Sequence, residues 1–476
     1  MTQVSVSFSF KAARAWCLTL LAGISGIAPA TAATPPAPVA AAHGAAVVPA
    51  VPTGPAWICD RLNLEESYSD RGLRFLRLGK NNWVFRDHIE FVVLAPVPQP
   101  EVEQFADLQK SLAAKHVRLV VMIPPPRGAM MKAFIDTSVP SAASFSPGAA
   151  MQTYNISLQR LRGIGIAVPD VAGFAARPET RLAGVDEQFY LSADLHWTAT
   201  GAHASALAVA KTLETLPEFK TVPHAAFKTV SGKAKPVKEG YRAEAARICK
   251  ATFAPETEVE YQTQQANSGG GGLLGDEQVA ITLVGTSFST IPHPNFSGFL
   301  RDALQADVTN YAIGGGGFDA AILSYLTSDD FAQNKPAILL WEMQFHNLRE
   351  TANFPLILGA AQGDCGSNAL LKTSPVTLRI GQTSVFNLTD GQRSQIKGKA
   401  NVVVDINSAD PRHYHLNLSY TDGQTSRFDI DAGRWQHAAS KMIINLPRDG
   451  KDLAGVSLVP DQKLPGTVSA HICRAV

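Results

Sequence analysis

Gln278 to Thr290, QVAITLVGTSFST, decides the reading of this chain. Val279 to Val284 is a short apolar, β-branched run that breaks at Gly285 and is followed by Thr286, Ser287, Phe288 and Ser289. A buried strand, then a glycine, then a small hydroxyl residue ahead of helical sequence is how an α/β enzyme presents a serine at the carboxyl end of a strand. A serine placed there lies beside the N–H groups that open the next helix, where negative charge is favoured. The same residues also suit a plain helix cap, so the stretch needs a second one to interpret it.

That second stretch is Ser192 to Ala208, SADLHWTATGAHASALA. Asp194 and His196 lie two apart in a tight loop, and a helix is expected from about Thr198, with Ala202, Ala206, Val209, Leu213 and Leu216 on one face and Pro217 as its stop. An imidazole used as a base needs a partner on its other nitrogen to fix the tautomer, and Asp194 can supply it. Asp194, His196 and Ser287 are therefore the candidate catalytic residues. Of the other histidines, His203 reads as a helix-surface residue, His293 sits between Pro292 and Pro294 without an adjacent acid, and His346 has no assigned role.

Working outward, the flanking sequence alternates helical and strand patterns. Glu101 to Lys115 is amphipathic and leads into VRLVVMI (Val117 to Ile123), a continuous apolar strand stopped by three prolines. A helix around Tyr154 to Arg162 and a strand around Ile164 to Val168 follow. After the serine turn come a helix (Phe296 to Leu304), a buried strand (Val308 to Ile313), the glycine run Gly314 to Gly317, a helix (Ala320 to Leu326) and a strand (Ala337 to Leu340). Strands without alternation, separated by helices, belong to a parallel sheet covered on both faces. Gly314 and Gly315 open a loop whose N–H groups can approach a substrate, as an oxyanion hole requires. Residues 217 to 275 read as irregular.

From about Leu371 eight short strand-like runs recur between turns, the pattern of a β-sandwich. This segment carries 13 Lys and Arg against 9 Asp and no Glu. Arg427, Arg434, Trp435 and Lys441 gather within it and suit an acidic sugar through carboxylate pairing and ring stacking, or else form an ordinary solvated face around one packed tryptophan.

The chain of 476 residues is long enough for two or three domains, and 45% hydrophobic content supports ample cores. A net charge of +1, with no groove-reading motif, excludes a strongly basic nucleic-acid binder. Lys11 and Arg14 precede an apolar run from Ala15 to Ile27 and the small-residue site Ala30-Thr31-Ala32, so residues 1–32 read as a cleaved export signal that leaves no stable membrane span. Residues 33–56 form an Ala/Pro-rich tether. Cys17 leaves with the signal; Cys59, Cys249, Cys365 and Cys473 remain, enough for two disulfides in an exported chain, and 59–249 with 365–473 is the pairing that respects a domain boundary. Neither CxxC nor HExxH spacing occurs, so no metal is expected.

With LGKNNWVF (Leu78 to Phe85), DLHWT, LLGDE (Leu273 to Glu277), GTSFS and LLWE (Leu339 to Glu342) on the page, the chain resembles the AlgX/AlgJ family of periplasmic, SGNH-hydrolase-like alginate O-acetyltransferases. The resemblance implies a permuted SGNH-hydrolase-like α/β parallel-sheet domain over 57–366, then a small all-β sandwich carbohydrate-binding module over 367–476. Asp194 and His196 precede Ser287, the permuted order of that family. It further implies a Ser287 nucleophile, a His196 base oriented by Asp194, transfer of acetyl groups to O2 or O3 of mannuronate in alginate, and periplasmic location. The implied partners are the acidic polysaccharide and other proteins of an acetylation and export complex. A monomer without cofactor is expected. A secreted esterase with the same triad and a non-catalytic polysaccharide-binding scaffold are the rival readings.

Overall fold

The computed structural model describes residues 59–182, 187–252, 256–266 and 280–475. The export signal, the tether and Leu273 to Glu277 lie outside the described residues. Strands β1 (Arg118–Met122), β2 (Phe227–Pro236), β3 (Thr257–Gln265), β4 (Ile281–Val284), β5 (Thr309–Asn310) and β6 (Ile338–Glu342) alternate with helices α1 (Gln99–Ala113), α2 (Pro147–Gly163), α3 (Ala199–Leu213), α4 (Gly240–Cys249), α5 (Ser287–Thr290), α6 (Phe296–Leu304), α7 (Ala320–Leu326) and α8 (Phe354–Gln362).

The apolar runs form one parallel sheet in the order β1-β6-β4-β5. Alternate residues of each strand feed opposite cores, which is why the runs show no polar alternation. Leu119, Val121, Leu339 and Trp341 pack with Phe105 of α1, Tyr154 of α2 and Ile322 of α7. Val120, Leu283, Ile338 and Leu340 pack on the other face with Val209 of α3 and Phe299 of α6. Each fully buried aliphatic side chain here contributes about 1.5–3 kcal/mol.

Three expectations need correction. The strand around Ile164 to Val168 is reduced to a single bridge, Ala167 to Val120. The stretch Val308 to Ile313 is an edge: only Thr309 and Asn310 pair as a strand, and Asn310 is exposed. Residues 217 to 275 hold a two-stranded antiparallel ribbon, β2 with β3, and helix α4 between them. β2 is polar and mostly exposed, so it carries no period-2 apolar signal; its pairing with β3 makes it a strand.

Beyond α8 the eight expected runs appear as strands, with Leu371–Lys372 as an additional short one. The longer ones are β7 (Thr383–Asn387), β8 (Ala400–Asn407), β9 (His413–Tyr420), β10 (Thr425–Asp431), β11 (Lys441–Asn445), β12 (Leu453–Pro460) and β13 (Thr467–Arg474). They form two antiparallel sheets: β13-β8-β11, extended by Val376–Thr377 and Leu371–Lys372, and β7-β12-β9-β10. The sandwich shares a core with the parallel sheet: Trp341 of β6, Ile357 of α8 and Val404 of β8 belong to one apolar cluster. Helix α8 lies so close to β11 that a Cβ at Gly359 would stand 2.2 Å from the carbonyl oxygen of Ile443.

Two disulfides, Cys59–Cys249 and Cys365–Cys473, pair as the domain reading requires. Among the described residues, no helix is long and apolar enough to cross a membrane.

Candidate active site

β4 ends at Val284, and the chain turns through Gly285 and Thr286 into the four-residue α5, which starts at Ser287. Thr286 caps that helix, its hydroxyl accepting the Phe288 N–H. The turn rests on Glu342, the last residue of the adjacent strand β6 and wholly buried. Its carboxylate accepts the Thr286 N–H at 2.7 Å, the Thr286 hydroxyl at 3.0 Å and the Ser289 hydroxyl at 3.0 Å. Burial raises the Glu342 pKa, against the lowering effect of these donors. Gly285 makes the approach possible, since a Cβ there would sit 2.6 Å from Glu342 Oε2.

His196 arrives on the loop before α3. The loop closes through a Tyr190–Trp197 bridge, and Thr198 caps α3 by accepting the Gly201 N–H. Its carbonyls at Leu191 and Ser192 accept from the buried guanidinium of Arg127, each at 2.8 Å, and Arg127 also pairs with Glu90. Glu239 accepts the Ala193 N–H at 3.0 Å, and Gly240, at the start of α4, donates its N–H to Asp194 Oδ2 at 2.6 Å.

The three candidate side chains meet. Asp194 Oδ1 lies 2.6 Å from His196 Nδ1, and His196 Nε2 lies 2.8 Å from Ser287 Oγ, 91 residues away in sequence. Burial disfavours the Asp194 charge, but hydrogen bonds and attraction from His196, with the Gly240 N–H, outweigh it and hold the carboxyl below its ordinary range. Phe288 walls the imidazole, its ring centroid 5.0 Å from that of His196. The arrangement can pass a proton from a serine hydroxyl to an imidazole whose tautomer is fixed by a carboxylate.

Gly314 borders the serine: a Cβ on it would stand 3.9 Å from Ser287 Cβ. Gly315 and Gly317 take φ of +71° and +68°, the left-handed region that favours glycine. Arg434 of the sandwich donates to the Gly314 carbonyl at 2.5 Å and covers Gly315.

The other basic candidates do not join Arg434. Arg427 lies on β10 and pairs with Asp429; Lys441 lies on β11, in the other sheet, and pairs with Asp364. Trp435 is buried in the apolar cluster, so it is a packed core ring rather than an exposed stacking face. His293 is bonded to Glu258 of β3, an acid not adjacent in sequence. His203 contacts the Thr180 carbonyl. His346 lines a separate cavity of about 70 Å³ behind Phe288, where burial, then the charge of Arg86, lowers its pKa to about 4. Glu342, Gly240 and Arg127 carry no local signature: each acts on a segment at least 46 residues away.

A parallel α/β sheet with a Ser–His–Asp relay at its carboxyl edge, followed by a β-sandwich, defines the class as SGNH hydrolase-like. Residues 76–345 match the family model described as "SGNH hydrolase-like domain, acetyltransferase AlgX", more than half of the chain, and the protein belongs to that family. It is 28% identical over 432 residues to the alginate biosynthesis protein AlgX of Pseudomonas aeruginosa, covering 88% of this chain and 89% of that one. It is 29% identical over 272 residues to the probable alginate O-acetylase AlgJ of Pseudomonas fluorescens, covering 56% and 66%. The solved structure of Pseudomonas aeruginosa AlgX superposes with a TM-score of 0.74 at 24% identity over 88% of this chain and all of that chain, a shared fold.

Proposed function

We propose that this protein is a periplasmic O-acetyltransferase that acts on an exported uronate polysaccharide, alginate or a close relative, through an acetyl-serine intermediate. The observation that carries the reading is the unbroken hydrogen-bonded series Asp194–His196–Ser287. His196 Nε2 takes the proton of Ser287 Oγ as that oxygen attacks the donor's acetyl carbon. The charge that develops on the carbonyl oxygen is met by the backbone N–H of Ser287 and by Gly314 and Gly315. The tetrahedral adduct then collapses, the donor's alcohol leaves with the proton held by His196, and the acetyl group stays on Ser287. A mannuronate hydroxyl, O2 or O3, gives its proton to His196 while attacking the acyl carbon, which frees Ser287.

Transfer prevails over hydrolysis when a bound acceptor hydroxyl outcompetes water by proximity. In this reading Arg434, which bonds the Gly314 carbonyl, orients an acceptor carboxylate. The likeness to an alginate biosynthesis protein and to a probable alginate O-acetylase supports the substrate class.

The test is mass spectrometry after incubation with an activated acetyl ester. The expected result is a 42-dalton adduct on Ser287 that a de-acetylated mannuronate oligomer removes with its own acetylation. An adduct discharged only as free acetate would make the protein an esterase, and an adduct absent from Ser287 would overturn the mechanism.

A further inference from the structure

Around the second disulfide, four residues with metal-ligating atoms gather on one face of the sheet β13-β8-β11. Asp364 and Cys365 follow α8, and His471 and Cys473 lie two apart on β13, so these last two side chains share a face. One ligand atom from each residue (a carboxylate oxygen, an imidazole nitrogen and the two sulfurs) lies within 4.8 Å of all the others. The two cysteines are 108 residues apart, so no CxxC spacing marks the group in the sequence. In this structure the sulfurs are bonded to each other, and it is the thiolate, not the disulfide, that ligates a metal.

The surroundings supply the other parts of a metal site. His471 Nε2 lies 2.6 Å from Asp364 Oδ1, while Asp405 of β8 stands 3.6 Å from Nδ1 of the same ring. A carboxylate on the second ring nitrogen orients the imidazole and makes the first nitrogen a better ligand. An ion between Nε2 and Oδ1 replaces the proton that joins them, and the two atoms part to about 3.3 Å, the edge of a tetrahedron with bonds of about 2.0 Å. The sulfurs, once their bond opens, part to about 3.8 Å for the same reason. The Gly366 N–H, donating to Oδ1 at 2.9 Å, and Lys441, bonded to Oδ2 at 2.8 Å, keep the Asp364 carboxylate in place. Lys441 also reaches Asp405 at 3.5 Å, and so offsets part of the charge that two thiolates bring. Val403 and Ile443 pack against the sulfurs and keep that side of the group apolar. Asp364 and Lys441 line a cleft of about 900 Å³, which gives an ion a way in.

We propose that, when the Cys365–Cys473 bond is open, Asp364, Cys365, His471 and Cys473 form a tetrahedral zinc site. Two sulfurs, one imidazole and one carboxylate suit zinc and not calcium or magnesium. Opening the bond needs a reductant. A phosphine gives the disulfide two electrons and takes an oxygen from water, whose two protons go to the sulfurs. Zinc then displaces those protons as the thiolates bind it. The ion ties the start of the sandwich to its last strand, the same two segments that the disulfide joins. The chain thus has one fastening for oxidising conditions and another for reducing ones.

The test uses the full chain opened with tris(2-carboxyethyl)phosphine, freed of reductant under nitrogen and titrated with cobalt(II) and then zinc. The dithiol protein should take up one cobalt with the visible absorption of a tetrahedral, thiolate-bound ion, and zinc should displace it. The Cys365→Ser/Cys473→Ser variant, treated alike, should show no such absorption, which also accounts for the thiols of Cys59 and Cys249. Asp405→Asn should weaken zinc about tenfold through the loss of the partner on Nδ1. Zinc should raise the melting temperature of the dithiol protein and leave that of the disulfide protein unmoved. Independently of any variant, bound zinc should protect Cys365 and Cys473, but not Cys59 and Cys249, from iodoacetamide, read by peptide mass spectrometry. Absence of the cobalt absorption, its persistence in the double serine variant, or alkylation of Cys365 and Cys473 unchanged by zinc would overturn the proposal.

Discussion

Replacing Glu342 tests whether the serine turn owes its shape to a buried carboxylate. In Glu342→Ala, the Thr286 N–H and the hydroxyls of Thr286 and Ser289 lose their shared acceptor. The hydroxyls can rotate towards other acceptors, but the N–H is fixed by the backbone and stays unpaired. One such buried donor costs about 1–3 kcal/mol, and the void left by the side chain adds to it, for a loss of about 3–4 kcal/mol. The turn then relaxes, and displacement of Ser287 Oγ from its 2.8 Å contact with His196 should slow acylation about 100-fold. Glu342→Gln keeps the shape and one acceptor oxygen, so it should retain most of the stability and more of the rate. The pH response separates the two roles. Because burial raises the Glu342 pKa, the folded state holds a proton that the unfolded chain has released between the ordinary carboxylate value and the raised one. Stability should therefore fall as pH rises through that window, and the Gln variant should lack this slope. Thermal unfolding from pH 4 to 8 and the rate of Ser287 acetylation are the assays. An Ala variant that acylates and melts like the unaltered protein would refute the reasoning.

Two further outcomes follow from the same geometry. Asp194→Asn should preserve the fold but favour the wrong imidazole tautomer, lowering the acylation rate by about 10³–10⁴-fold with little change in the affinity for the acceptor; a variant within tenfold of normal would show that Asp194 does not orient His196. Glu187, whose pKa burial and then Glu258 push up to about 7, holds a proton in the folded state that the unfolded chain loses at lower pH, so stability should decline between about pH 4.5 and 7. Glu187→Gln should flatten that decline in denaturant melts, and an unchanged slope would assign it to another group.

The parts of the molecule legible in its sequence are those with a local physical cause. Val120, Leu283 and Leu340 stand in unbroken apolar runs because both faces of their sheet are covered, and such runs announce a parallel sheet without reference to partners. The glycine-to-serine turn, the Asp194–His196 spacing and the strand–turn rhythm of the sandwich are local in the same sense. The ribbon β2–β3 was not legible, since its polar residues become strands only by pairing with each other. Nor was the dispersal of the basic candidates. Arg427, Arg434 and Lys441 are neighbours along the chain, yet antiparallel strands carry them to different sheets and to the glycine loop.

By itself, the sequence determined the fold class and the three chemical groups, because apolar pattern and residue type are properties of short segments, and it favoured one of three disulfide pairings that the structure then shows. Only the tertiary structure decided that those groups meet within hydrogen-bond distance, that Glu342 and Gly240 hold them there, and that Asp364 and His471 gather beside the second disulfide. Each depends on contacts between residues remote along the chain, and such contacts exist only once the sheet has brought its strands side by side.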